Sequence, residues 1–458
     1  MKTKILLLLT GILYLNTYAQ INFQEHAIKA KLISVSSVYT NDIDGDGDMD
    51  VLSASRGDGK IAWYENLDGL GNFGPQQIIT TNAFNATSVY ATDIDGDGDM
   101  DVLSASGLPE NKIAWYENTD GQGSFGSQQI ITTNVDQAKS VYSTDVDGDG
   151  DMDVLSASIV DNKIAWYEND GDGNFGPQQI ITTNAQWAWS VYASDIDGDG
   201  DMDVLSASPQ DAKIAWYENL DGLGNFGPQQ IITTIAFSAT SVYATDIDGD
   251  GDMDVLSSFD ANIAWYENDG DGNFGTQQII TTKLVGARSV YASDIDGDGD
   301  MDVLSASIFD DKIAWYENTD GQGSFGAQQI ITTNADAAVS VYATDIDGDG
   351  DMDVLSASEN DDKIAWYENL GVLGVNENTL VDFSVYPNPT KGILNIQSKT
   401  AIVQIDIYNL LGQLVLSIPI AIGTNKNTID ISRVSKGLYF IKVKDENGNI
   451  GTKKVVKK

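Results

Sequence analysis

The sequence predicts an all-β chain: a seven-bladed β-propeller closed by an N-terminal strand, followed by a small Ig-like β-sandwich. Three observations predict it. A unit of 48 to 52 residues recurs with its leading aspartate at 42, 93, 145, 195, 246, 294 and 345, so the fold question is one of repeats. Each unit carries four short runs rich in Val, Ile, Thr, Tyr and Trp, bounded by Gly, Asp or Asn, which marks strands rather than helices. The seventh unit lacks its fourth run, and a matching run precedes the first unit.

From the N-terminus, Lys2 and Lys4 precede the apolar run "ILLLLTGILYL" and then "NTYA". That order reads as a secretory signal peptide over residues 1–19, cleaved after Ala19, because the run is about half the ~20 residues a membrane span needs. No later segment is long and apolar enough to serve as a transmembrane span.

The propeller is expected over residues 20–370. Runs such as "SVYAT", "DVLSAS", "IAWYEN" and "QQIITT" become strands a, b, c and d of one blade. Four antiparallel strands at a period near 50 fit a propeller, where radial packing covers both faces of each sheet. The apolar run Ile61, Ala62, Trp63, Tyr64 suits a strand covered on both sides. There are seven copies of "IAWYEN" but six of "FGxQQIITT", because after Asn369 the chain continues as "LGVLGVNEN". Residues 22–30, "NFQEHAIKA", align with "NFGPQQIIT" from Asn72 and are expected to supply the missing strand. Six copies plus one at the opposite end is what circular closure requires, and neither an open superhelix nor an eight-unit ring accounts for it.

Strands a and b are joined by "DIDGDGDMD" or a close copy, with carboxylates at positions 1, 3, 5, 7 and 9. The candidate metal residues are Asp42, Asp44, Asp46, Asp48 and Asp50 in blade 1, and Asp93, Asp95, Asp97, Asp99 and Asp101 in blade 2. Blade 3 has Asp145, Asp147, Asp149, Asp151 and Asp153; blade 4 has Asp195, Asp197, Asp199, Asp201 and Asp203. Blade 5 has Asp246, Asp248, Asp250, Asp252 and Asp254; blade 6 has Asp294, Asp296, Asp298, Asp300 and Asp302; blade 7 has Asp345, Asp347, Asp349, Asp351 and Asp353. Alternate oxygens around a tight turn at Gly47 suit Ca2+, which takes six to eight oxygen ligands, and about one ion per blade is expected, up to seven. The expected ligands are side chains at 1, 3, 5 and 9 and the backbone carbonyl at 7. A metal-free Asp-Gly hairpin is the bland alternative, but two carboxylates ~5 Å apart repel by about 3 kcal/mol at an effective dielectric of 20. The loop is not an EF-hand, since position 12 is Ser53 and a strand follows. The second Gly-rich stretch, "NLDGLGNFG" or "NDGDGNFG", lacks the position 9 acid and reads as an ordinary hairpin turn.

These residues resemble a family. "DIDGDGDMDVLSAS…KIAWYENxDGxGxFG", over about residues 22–370, is similar to the FG-GAP or VCBS repeat, known from the integrin alpha-subunit propeller. The resemblance implies calcium in β-hairpin loops. The Gly-Ala-Pro of the name is absent after Phe73-Gly74, where Pro75 follows, so the bacterial VCBS-type variant fits better and integrin function does not transfer.

In an up-and-down blade the a-to-b and c-to-d loops share one face, and the b-to-c and d-to-a loops share the other. The units differ mainly in those last two: "RGDG", "GLPEN", "IVDN", "PQDA" against "NAFNAT", "NVDQAK", "NAQWAW", "KLVGAR". Variation therefore gathers opposite the acidic loops, where Trp187, Trp189, Phe84, Phe237 and Phe309 are the candidate ligand contacts. Unconstrained loop drift explains the same variation. Arg56-Gly57-Asp58 spells an adhesion tripeptide, which chance supplies easily.

Function classes narrow further. The net charge is −44, and residues 20–370 hold twelve Lys or Arg against 63 Asp or Glu; such a body repels phosphate backbones, so nucleic acid is not an expected partner. There is no cysteine, so packing and oxygen-ligated ions must hold an exported chain together. The sole histidine, His26, lies in the closing strand and no catalytic residue is assigned. A binding or adhesion module for a glycan or protein is the expectation, with a polysaccharide lyase as the alternative.

After a linker at 371–383 the composition turns basic, with alternating apolar strands over 384–458. Tyr386-Pro387-Asn388-Pro389, "IYNLLGQLV", "GLYFIKV" and the final "KKVVKK" resemble the type A sorting domain of the type IX secretion system. That resemblance implies partnership with the type IX machinery and a secreted or surface location on a Gram-negative cell.

Overall fold

In a computed structural model, which describes residues 21–28, 32–372, 383–409, 414–420, 424–445 and 450–458, seven four-stranded antiparallel sheets succeed one another. Blade 1 consists of Val35–Asn41, Asp50–Ser55, Lys60–Tyr64 and Gln77–Thr80. Blades 2 to 6 repeat that order. In blade 7, Ala338–Thr344, Asp353–Ser358 and Lys363–Val372 are completed by Ile21–Ile28. The expected closing strand is therefore present, with His26 opposite Trp366 and Ile28 opposite Ile364. Residues 29 and 30, expected at its end, lie outside the described residues, as does the signal segment 1–19.

Strands b and c of each blade are buried on both faces because the pleat sends alternate side chains into different neighbours, whereas the outer strand d leaves Ile78 and its counterparts exposed. Leu52, Ala54, Ile61 and Trp63 of blade 1 pack with Ala83, Val89, Val102 and Tyr116 of blade 2. Val51 and Tyr64 of the same two strands turn the other way, onto Leu355, Ile364 and Trp366 of blade 7. Each strand c thus supplies a fully covered aromatic to both sides, a large apolar burial per repeat. Strand a lines the axis: Tyr39, Tyr90, Tyr142, Tyr192, Tyr243, Tyr291 and Tyr342 form a closed ring, with neighbouring ring centres 4.5 to 5.1 Å apart.

The described residues from Phe383 onward belong to a separate compact unit. A three-stranded sheet of Phe383–Tyr386, Ile393–Ser398 and Lys426–Asp430 and a four-stranded sheet of Leu414–Pro419, Ile402–Tyr408, Gly437–Asp445 and Ile450–Lys457 share a core that includes Phe383, Leu394, Ile405, Ile441 and Val455. The expected linker at 371–383 is shorter at both ends. Strand c of blade 7 runs on to Val372 because Ile21 pairs with it, and Phe383 already opens the next strand. Residues 373–382 lie outside the described residues. Among the described residues no helix is long and apolar enough to cross a membrane.

Candidate metal loops and ligand face

In each acidic loop the first aspartate folds the backbone around itself. Asp93 accepts the N–H groups of Gly96 at 2.8 Å and Gly98 at 3.0 Å, and Asp97 accepts that of Asp99 at 2.9 Å. The last aspartate is almost wholly buried and holds the loop ends together: Asp101 accepts the N–H of Ile94 at 3.0 Å and of Asn118 at 2.7 Å. Carboxylate oxygens of the acidic loops gather within 4.8 Å, from Asp42, Asp44 and Asp50 in blade 1 and from Asp195, Asp197 and Asp199 in blade 4, for example.

Their electrostatics are unfavourable as they stand. Burial pushes Asp50 up to about 7 against the lowering effect of the Asn66 and Ile43 N–H groups, and Asp101, Asp153, Asp203, Asp254, Asp302 and Asp353 behave alike. Asp296 is raised to about 6 by burial and then by Asp298. One oxygen each of Asp44, Asp95, Asp197, Asp248 and Asp296 is buried with no hydrogen-bond partner. A cluster of carboxylates with an orphaned oxygen at position 3 is a donor set that fits a hard cation.

Position 7 turns elsewhere. A Cβ on Gly69 would run into the carboxylate of Asp48, and the same holds for Gly121 with Asp99. The a-to-b and c-to-d loops therefore touch on one face, as expected. The second Gly-rich stretch is more than a hairpin, however. Gly123 of blade 2, at φ +78°, lies so close to Trp63 of blade 1 that a Cβ would overlap the indole. The glycine lets the turn cap its neighbour's tryptophan.

Two functional residues of "WYEN" escaped the reading of the sequence. The glutamate, Glu65 in blade 1, sits close enough to raise Asp44 further, after burial and Asp46. The asparagine ties blades together. Asn118 donates to the Ile43 carbonyl of the preceding acidic loop at 2.8 Å, and its own carbonyl accepts the Gly123 N–H at 3.1 Å. Each of the seven asparagines reaches position 2 of the neighbouring loop, Asn66 closing the ring onto Ile346 and Asn369 reaching Ile295. The signal was the invariance of Asn in all seven copies at a position where a solvent-facing turn would tolerate Asp or Gly. Asn118→Ala strands these buried partners and should lower stability by ~2–3 kcal/mol; the urea midpoint checks it, and an unchanged midpoint refutes the role.

On the opposite face, Trp187, Phe84, Phe237 and Phe309 are exposed. They stand apart on separate loops. Trp189 instead lies half-buried at the mouth of the axial channel, with Lys139 Nζ 4.6 Å and the Arg288 guanidinium 4.3 Å from its ring centre. The Arg56-Gly57-Asp58 side chains are engaged locally: Arg56 pairs with Glu359 at 3.2 Å, and Asp58 pairs with Lys60 at 2.7 Å. His26 stacks on Trp366, centres 4.5 Å apart, and contacts Glu368 at 2.7 Å, within the closing seam.

The FG-GAP-like repeat pattern matches residues 42–104, 93–156, 145–206, 195–257, 246–305 and 294–356. The secretion system C-terminal sorting domain pattern matches residues 384–458. No curated protein matches the chain. A solved Agrocybe aegerita lectin, described as recognising non-reducing terminal N-acetylglucosamine, is similar with a TM-score of 0.52 and 19% identity, over 72% of this chain and 87% of that one. BBS1N, solved in complex with ARL6DN, is similar with a TM-score of 0.53 and 10% identity, over 77% of this chain and 97% of that one. At such identities the likeness is one of fold.

Proposed function

The chain belongs to the FG-GAP-like repeat family, and from that premise we propose that it is a calcium-stabilised binding module whose ligand, a glycan or a protein, is held by the face opposite the acidic loops. Its C-terminal sorting domain directs export by type IX secretion, to the medium or the cell surface.

The observation that carries the reading is the division of labour between the two faces. Acidic loops and asparagine links repeat in every blade and glycine caps in six of them, whereas the b-to-c and d-to-a loops differ from blade to blade and carry exposed aromatics. A scaffold that fixes one face and varies the other suits recognition. Position 1, 3, 5 and 9 aspartates would hold the ion, which supplies the positive charge that the orphaned position 3 oxygens lack. The acids gathered on that face serve the loops, and His26 serves the ring seam, so neither is free for proton transfer to a substrate. The similarity to a fungal lectin makes glycans the first class to screen.

A glycan array in Ca2+ and again in chelator, with ultraviolet absorbance followed for unsaturated products, tests the reading. Calcium-dependent retention without turnover is the expected result. New unsaturated ends would replace it with lyase chemistry.

A further inference from the structure

Positive charge is scarce in the propeller and its distribution is uneven. Lys60, Lys112, Lys163, Lys213, Lys312 and Lys363 each pair with an acidic side chain beside the start of strand c. Among the described residues of the propeller, that leaves Arg56, Lys139, Lys283 and Arg288. Three of those four converge on one pocket at the axial mouth of the varied face. Lys139 and Arg288 occupy the same repeat position in blades 3 and 6, where other blades carry Ser36, Thr87, Trp189, Thr240 and Val339. Arg56 enters from the b-to-c loop of blade 1.

The pocket is built for donors. Among the described residues neither Lys139 nor Arg288 has a carboxylate within ion-pair distance; Arg56 has Glu359, yet its Nε is buried without a partner. Below the cations comes one serine per blade, from Ser37 to Ser340. Each Oγ accepts a backbone N–H of the next blade, as Ser37 does from Val89 at 3.4 Å and Ser140 from Val191 at 3.5 Å. That leaves the hydroxyl hydrogen to donate into the channel. The tyrosine ring forms the layer beyond. The cavity is about 170 Å³, below the ~300 Å³ of sites that engulf a small molecule whole, and so takes a single group. Burial, then the charges of Arg56 and Arg288, push Lys139 down to about 7. Glu359, paired with Arg56, also acts on Lys139 and Arg288, so three cations meet there beside a single paired carboxylate among the described residues.

We propose that this pocket binds an acidic group, the carboxylate or sulfate of a charged sugar, through Arg56, Lys139 and Arg288, with the serine hydroxyls as neutral donors. The inference rests on the varied face being the binding surface and adds the chemistry of its ligand. Guanidinium and ammonium groups with fixed hydroxyl donors are the usual partners of an oxyanion, and the Trp189 ring, in contact with both Lys139 and Arg288, holds the two cations at the mouth.

Calorimetric titration of the full calcium-loaded protein with glucuronate, glucose 6-sulfate, inorganic sulfate and glucose tests it. Glucuronate and sulfate should bind and glucose should not. Lys139→Gln and Arg288→Gln should each weaken glucuronate on the order of tenfold, and affinity should fall several-fold from pH 6 to pH 9 as Lys139, which faces Arg56, Arg288 and Glu359, loses its proton. Thermal midpoints of both variants should be equal to or above that of the parent, since a buried like-charge contact is removed, which separates lost binding from lost folding. Binding that persists in the Lys139→Gln, Arg288→Gln double variant overturns the pocket. Sulfate binding matched by neither glucuronate nor glucose 6-sulfate overturns the sugar as its source. A glycan array that retains only neutral glycans overturns this inference while upholding the varied face as the binding surface.

Discussion

Metal-free protein, prepared by chelation and gel filtration, is expected to melt many degrees below the calcium-loaded protein at pH 8, and the gap should narrow toward pH 5. The position 9 aspartates carry the argument. Asp50 and its six counterparts are raised to about 7 in the fold, with burial the first cause, against about 3.9 for an aspartate in an unfolded chain. A carboxyl whose folded pKa is raised contributes stability in full below the unfolded value, and that contribution is lost as pH rises through the folded value. Without an ion the fold therefore weakens between about pH 4 and pH 7. Calcium held in the loop would offset the same charge, and the orphaned oxygens of Asp44 and its counterparts would give it unshared lone pairs. Differential scanning calorimetry at several pH values measures both effects. Midpoints that coincide with and without calcium at pH 8 would remove the metal from the account.

Deletion of residues 21–28 is expected to open the ring. That strand provides the fourth position of blade 7, buries Ile21 and Ile28, and lays His26 on Trp366. Two buried aliphatic side chains at ~1.5–3 kcal/mol each, with the aromatic contact added, make the loss ~5 kcal/mol. At ~2–4 °C per kcal/mol for a domain larger than 150 residues, the midpoint should fall by ~10–20 °C. The strand Lys363–Val372 would then present an unpaired edge, which favours association between copies. Size-exclusion chromatography should show earlier elution, and a monomer with an unchanged midpoint would show that the N-terminal strand does not close the ring.

How much of this was legible follows from what repetition reveals. A pattern of period 2 written seven times, with one run displaced from the end to the beginning, leaves a closed ring of four-stranded blades as the reading that uses every run, and Ile21–Ile28 sits where that reading put it. The acidic loops were legible as a carboxylate cluster because five acids at alternate positions have no other common use. The asparagine of "WYEN" and the glycines of "DGxG" were legible only as invariant, since their partners, Ile43 and Trp63 in the case of Asn118 and Gly123, lie one blade away. A sequence names a residue's own repeat and says little of what the next one presents to it.

The same limit separates the two faces. The sequence by itself determined the blade, the count of seven, the closure and the site of the acidic loops, because these depend on local periodicity and on chemistry carried within nine residues. Only the tertiary structure decided that Trp189 belongs to the axial mouth while Trp187, two residues earlier, stays exposed on a loop. It also decided that Arg56, Lys139 and Arg288, spread over 233 positions of the chain, meet there. Radial symmetry brings the same repeat position of every blade to one axis, so residues that are remote in sequence become neighbours by rotation.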